Sequence, residues 1–163
     1  MTVIQIAIAN QQRTLKLDRR QLRAAICSVL KAHGYPAAEI SLAIVDDAAI
    51  QALNRQWLEH DYPTDVLSFV LEIEPGRLEG EVVVSADTAL RVAGELGVDP
   101  LHELALYVVH GTLHLVGFDD QTPALARQMR AAEVAILTGL GIPVVDRVPT
   151  PAPGRSSARQ VRR

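Results

Sequence analysis

Residues 99–120 read DPLHELALYVVHGTLHLVGFDD. Asp99 followed by Pro100 opens a helix, because proline lacks the N–H that the first helical position leaves unused anyway. The helix is expected to run to about Val116 and to break at Gly117. His110 and His114 stand four residues apart, so both imidazoles project from one face and can reach one metal ion. Beyond Gly117 the chain can turn back and bring a third ligand under the metal. Asp119 and Asp120 are both candidates for that place. Three protein ligands and an open position is how catalytic zinc is built.

Outward from this helix, strands and helices interleave. Residues 2–9 alternate apolar and polar side chains, as a half-buried strand does. Asp18 is placed to cap a helix over 18–33 with Leu22, Ala25, Ile26, Val29 and Leu30 on one face, ended by Gly34 and Pro36. Residues 40–45 read as a buried strand. Asp46 then caps a helix over 47–57. VLSFVLEI (66–73) and GEVVVS (80–85) read as strands about a turn at Pro75-Gly76. Ser85 or Asp87 starts a helix to about Leu96, and Thr122-Pro123 opens a last one to about Gly139. The order is not strictly βαβ. The expected fold is α+β: a single domain, a mixed β-sheet packed with helices, the metal site on a central helix.

Length and composition bound the rest. A chain of 163 residues, 48% apolar and 21% charged, is expected to form one globular domain. The single cysteine, Cys27, rules out an internal disulfide and a cysteine-cluster zinc finger. The site must therefore be built from nitrogen and oxygen ligands. No apolar run approaches the ~18 residues of a membrane span, and the first residues lack the basic start of a signal peptide. A cytoplasmic location is expected. The net charge of −3 hides an asymmetry: residues 147–163 carry five arginines and no acid, whereas residues 1–146 carry 11 basic and 19 acidic residues. Prolines, glycine and serines accompany those arginines. Residues 147–163 are therefore expected to be a disordered basic tail beyond a domain of residues 1–146. There are only six aromatic residues. That is too few for the regular stacking platform of an RRM-type binder.

The stretch HGTLHLVGFDD (110–120) closely resembles the HGxLHLxGYDH signature of the YbeY family of bacterial endoribonucleases. DYPTDVLSF (61–69) looks like that family's DxPTDVLSF segment, and GEVVVS (80–85) like its GD-I-x-I-S strand. The blocks stand in the family's order, and the resemblance covers residues 1–145. It implies metal-dependent cleavage of single-stranded RNA in late ribosome quality control and maturation of small-subunit (16S) rRNA. It also implies partnership with the ribosome or small subunit, not with DNA or membranes, and one Zn²⁺ per chain.

Three departures qualify the resemblance. The family's third histidine is Asp120 here. The implied metal ligands are thus His110, His114 and Asp120, a set that lowers the site's charge and shifts its preference towards harder ions such as Mn²⁺. The family's arginine before the DxPTD loop is Leu58. Arg55, one turn earlier on the same helix face, is the candidate catalytic cation in its place, with His60 another candidate at acid pH. Glu81 stands for the family's aspartate and keeps its charge. Asp119, Asp65 and Glu103 are candidate bases, and Asp119 is also a candidate for orienting a ligating imidazole. Two other readings remain: a ribosome-associated factor of the same fold with weakened catalysis, and a zinc metallopeptidase. Against the second, the HExxH glutamate position is occupied by Gly111.

Overall fold

The computed structural model describes residues 2–147 and 160–162. Its elements follow in the order β1 (Val3–Asn10), α1 (Arg19–Ala32), β2 (Ala37–Val45), α2 (Asp47–Leu58), β3 (Val66–Glu74), β4 (Arg77–Ser85), α3 (Ala86–Leu96), α4 (Pro100–Leu115), α5 (Pro123–Gly139) and β5 (Gln160–Arg162). The strands form one mixed sheet in the order β1-β2-β4-β3-β5. β1, β2 and β4 run parallel, and β3 runs antiparallel to β4. The turn Pro75-Gly76 closes the β3–β4 hairpin. Gly76 has φ +77°, which suits glycine because no Cβ opposes it. The expected α+β, single-domain architecture is the one observed.

Alternation along the strands decides what covers each face. Val66 and Val70 of β3 and Leu78, Val82 and Val84 of β4 join the larger core, beneath α1, α3, α4 and α5. Their neighbours Leu67, Phe69 and Val83 point the other way, where Ile50 and Leu53 of α2 cover them. α4 runs through the middle of the larger core, and nearly every residue from Glu103 to Leu115 is buried. Such a helix has no free polar face, so its two histidines lie in a largely dehydrated place.

Two strands begin earlier than the sequence suggests. β2 starts at Ala37 and β4 at Arg77, and these two residues pair with each other. Strand extension here follows from having a neighbour to bond, not from side-chain preference. Of residues 147–163, only Arg147 and Gln160–Arg162 are described. The latter pair in parallel with Ser68–Val70 as β5, supplying partners to backbone groups at the outer edge of β3. The remainder of the expected tail lies outside the described residues. Arg147 is bound rather than free, with its guanidinium paired to Glu103 of α4.

Candidate metal centre

α4 places the two histidines, and the turn after it supplies the acid. Asp99 caps the helix by accepting from Leu101 N at 2.8 Å, with Pro100 behind it. At the other end Gly117 N bonds His114 O at 3.1 Å and Phe118 N bonds Leu113 O at 3.0 Å. Gly117 takes φ +105°, a conformation strained for any side chain, and this reverses the chain. Phe118 then packs onto the core and meets His33 edge-on at 4.9 Å. The Asp119 carboxylate accepts from the Asp120 backbone N–H at 2.7 Å. Turn, aromatic anchor and short bond together aim Asp120 back at α4.

The result is a compact donor group. Asp120 Oδ2 lies 3.6 Å from His110 Nε2, and Oδ1 lies 3.8 Å from His114 Nε2. One donor atom from each of the three residues falls within 4.8 Å of the others. The two carboxylate distances are too long for good hydrogen bonds. They are close to the ~3.4 Å edge of a tetrahedron with ~2.1 Å metal–ligand bonds. His114 is 2% exposed, and its Nε2 has no hydrogen-bond partner among the described residues. A buried nitrogen aimed at an anion without a hydrogen bond is costly unless something else accepts its lone pair. A divalent cation does this, so the donor set fits a metal.

Charge sets the two histidines apart. Burial disfavours the imidazolium form of His110, but the bond to Glu133 and the charges of Glu133, Asp65 and Asp120 outweigh it and raise its pKa. Burial, with His110 beside it, pushes His114 down to about 4. His114 is therefore a neutral imidazole at neutral pH, the form that ligates metals. Glu133 stays ionised: its burial is outweighed by the bonds and charges of His110 and Arg130, which lower its pKa.

Glu133 escapes a reading of the sequence. Its Oε2 lies 2.6 Å from His110 Nδ1, the place of an imidazole-orienting acid for which Asp119 is the sequence candidate. Asp119 spends its carboxylate on the Asp120 backbone instead. The available signal is an acid at position 133, between Met129 and Leu137 on the buried stripe of α5. Glu103, a candidate base, lies two turns or ~10 Å along α4 from His110. It is 1% exposed and paired to Arg147, away from the metal group. Asp65 is near enough to act electrostatically on His110.

Gly111 faces the sheet and not a substrate. A Cβ there would meet Val82 Cγ1 at 2.7 Å and Val66 Cγ2 at 2.8 Å. Ser68 Oγ also donates to the Gly111 carbonyl at 2.8 Å. The close approach that glycine permits is that of α4 to β3 and β4. A peptidase glutamate has no room at this position.

The sequence matches the family described as Endoribonuclease YbeY over residues 7–141. The chain belongs to the YbeY family. The Endoribonuclease YbeY of Rhodopirellula baltica is 45% identical over 130 residues, covering 78% of this chain and 67% of that one. That of Geobacter metallireducens is 41% identical over 137 residues, covering 80% and 91%. The solution structure of a Thermotoga maritima protein superposes with a TM-score of 0.56 at 23% identity, covering 82% of this chain and 90% of that one. The last is a likeness of fold.

Against the family pattern, Leu58 is a packing residue that joins the apolar cluster between α2 and the sheet. Arg55 lies in the last turn of α2, exposed, with Asp61 as its ion partner at 3.8 Å. The loop that follows is tied down by Asn54, which donates to Tyr62 O at 2.9 Å, and leads directly to Asp65. Glu81 pairs in register with Phe69 across the hairpin. No helix among the described residues is long and apolar enough to cross a membrane.

Proposed function

We propose that residues 1–146 form a metal-dependent endoribonuclease that cleaves single-stranded RNA in the cytoplasm. The proposed substrate is precursor small-subunit rRNA, delivered on or near the ribosome, and the proposed metal is one zinc ion held by His110, His114 and Asp120. The observation that carries this reading is the buried, unpartnered Nε2 of His114 facing the Asp120 carboxylate. Zinc suits two imidazoles and one carboxylate, with Mn²⁺ as the alternative that the carboxylate favours. Membership of a family whose curated relatives are named endoribonucleases supports RNA as substrate.

Hydrolysis of a phosphodiester needs a nucleophile, relief of charge on phosphorus and a proton for the leaving oxygen. A divalent ion at an open three-ligand site supplies Lewis acidity and makes water more acidic. The chain's own residues do the rest. Glu133 holds the Nδ1 side of His110, leaving Nε2 free to ligate. Asp119 fixes the Asp120 backbone and so the reach of its carboxylate. Asp65, an acid whose charge acts on His110, is the proposed acceptor of the nucleophile's proton. Arg55 is the cation for the substrate phosphate. Its exposed pair with Asp61, at 3.8 Å, is of the kind worth ~1 kcal/mol or less, so a phosphate can displace it.

The test uses labelled single-stranded RNA from an rRNA precursor and the same sequence as a duplex, with zinc defined. Wild type is expected to cleave the single strand and spare the duplex, and His114→Ala to cleave neither. Equal cleavage by both proteins would mean a contaminating nuclease and would overturn the assignment.

A further inference from the structure

Glu133 and Arg130 lie on α5, outside the ligand motif, and their contacts form one line. His110 Nδ1 is 2.6 Å from Glu133 Oε2. Arg130 Nη1 donates to Glu133 Oε1 at 3.2 Å, and Nη2 of the same guanidinium donates to the Val145 carbonyl at 2.9 Å. Glu133 is 6% exposed. A carboxylate is stable in such a place only when bonds replace its lost hydration. Both of its oxygens are engaged, one by the imidazole and one by the guanidinium.

We propose that Glu133 is a positioning residue for the metal group and that Arg130 and the segment 142–147 hold it in register, so that α5 and the C-terminal strap set the metal affinity of a site built on α4. This rests on the reading of His110, His114 and Asp120 as a metal group. The bond at Nδ1 fixes both the tautomer and the ring orientation of His110. Nδ1 carries the hydrogen, and Nε2 turns its lone pair towards Asp120, 3.6 Å away. Without that acceptor the imidazole is free to flip and present the wrong nitrogen. The strap joins the two helices concerned: the Val145 carbonyl takes Arg130 of α5, and Arg147 pairs with Glu103 of α4.

The experiment measures zinc affinity of the full chain by competition with a chromophoric chelator, beside thermal unfolding of the metal-free proteins. Glu133→Ala is expected to weaken zinc binding 10- to 100-fold, the range typical of lost partners to ligating histidines. Glu133→Gln is expected to regain part of that loss, since its amide oxygen still accepts from Nδ1–H. Arg130→Met removes one of the two bonds to the buried Glu133 carboxylate and is expected to lose several-fold in zinc affinity, with a lower unfolding temperature but a folded chain; it carries the test if Glu133→Ala does not fold. Wild-type affinity in Arg130→Met and in a folded Glu133→Ala would overturn the inference. So would Glu133→Gln falling as far as Glu133→Ala. A wild-type chain that binds no zinc would instead overturn the metal reading beneath it.

Discussion

Gly111→Ala adds one methyl group at a place where α4 touches the sheet. The new Cβ would stand 2.7 Å from Val82 Cγ1, 2.8 Å from Val66 Cγ2 and 3.1 Å from Ser68 Oγ. Favourable carbon–carbon separations are ~3.5–4.0 Å, so the helix or both valines must move by most of an ångström. Val66 and Val82 are fully buried on neighbouring strands, and valine is stiff about χ1. Overpacking costs ~1–3 kcal/mol, and two contacts below 3 Å against stiff buried valines put this site in the upper part of that range, ~2–3 kcal/mol. Alanine returns ~1 kcal/mol through its better helix propensity. A net loss of ~1–2 kcal/mol is expected, or ~2–8 °C in Tm for a domain of this size. Urea and thermal unfolding of metal-free protein measure it, with an unchanged urea m-value as the sign that the unfolding reaction is the same. Since His110 is the adjacent residue, weaker zinc binding is expected as well. If position 111 faced open space or a substrate, only the propensity gain would remain. A Gly111→Ala protein as stable as wild type, or more so, would refute the packing described for α4.

Two further outcomes test neighbouring parts of the structure. Arg147→Ala leaves the Glu103 carboxylate buried without its cation and is expected to cost ~3 kcal/mol, read as a lower urea midpoint, because breaking one side of a buried pair strands a charge; a change below ~0.5 kcal/mol would mean the pair behaves as a surface contact. In metal-free protein, His114 accepts a proton only near pH 4, whereas in the unfolded chain it does so near 6.5. The unfolded state therefore binds the extra proton between those values, and stability falls as pH drops from about 6.5 towards 4, by roughly 3 kcal/mol at most. His114→Gln is expected to flatten that part of the Tm–pH curve, and an unchanged slope would contradict the burial of this imidazole.

Local signals carried much of the fold. Asp18, Asp46, Ser85, Asp99 and Thr122 each cap the helix that follows, as their side-chain chemistry suggests. The proposed metal group is readable only in part: spacing singles out His110 and His114 but leaves Asp119 and Asp120 both open as the third ligand, and the resemblance to the family signature selects Asp120. What stayed hidden depends on distant partners. Glu133 gains its meaning from His110, 23 residues away on another helix. Arg147 shares a compositional pattern with the arginines after it, and only its partner Glu103, 44 residues earlier, sets it apart. Gly111 stands next to His110 in sequence, and its small size there suits close approach by either a backbone or a substrate. Helix α4 turns it against the valines of the sheet.

The central claim is that His110, His114 and Asp120 hold one metal ion on which RNA cleavage depends. Metal-free protein titrated with zinc, with bound zinc and single-stranded RNA cleavage measured in the same samples, tests it most directly. Cleavage is expected to rise with bound zinc and to level at one equivalent, and Asp120→Ala is expected to reach that level only at much higher zinc. Full cleavage by the metal-free chain, or undiminished zinc binding by Asp120→Ala, would contradict it.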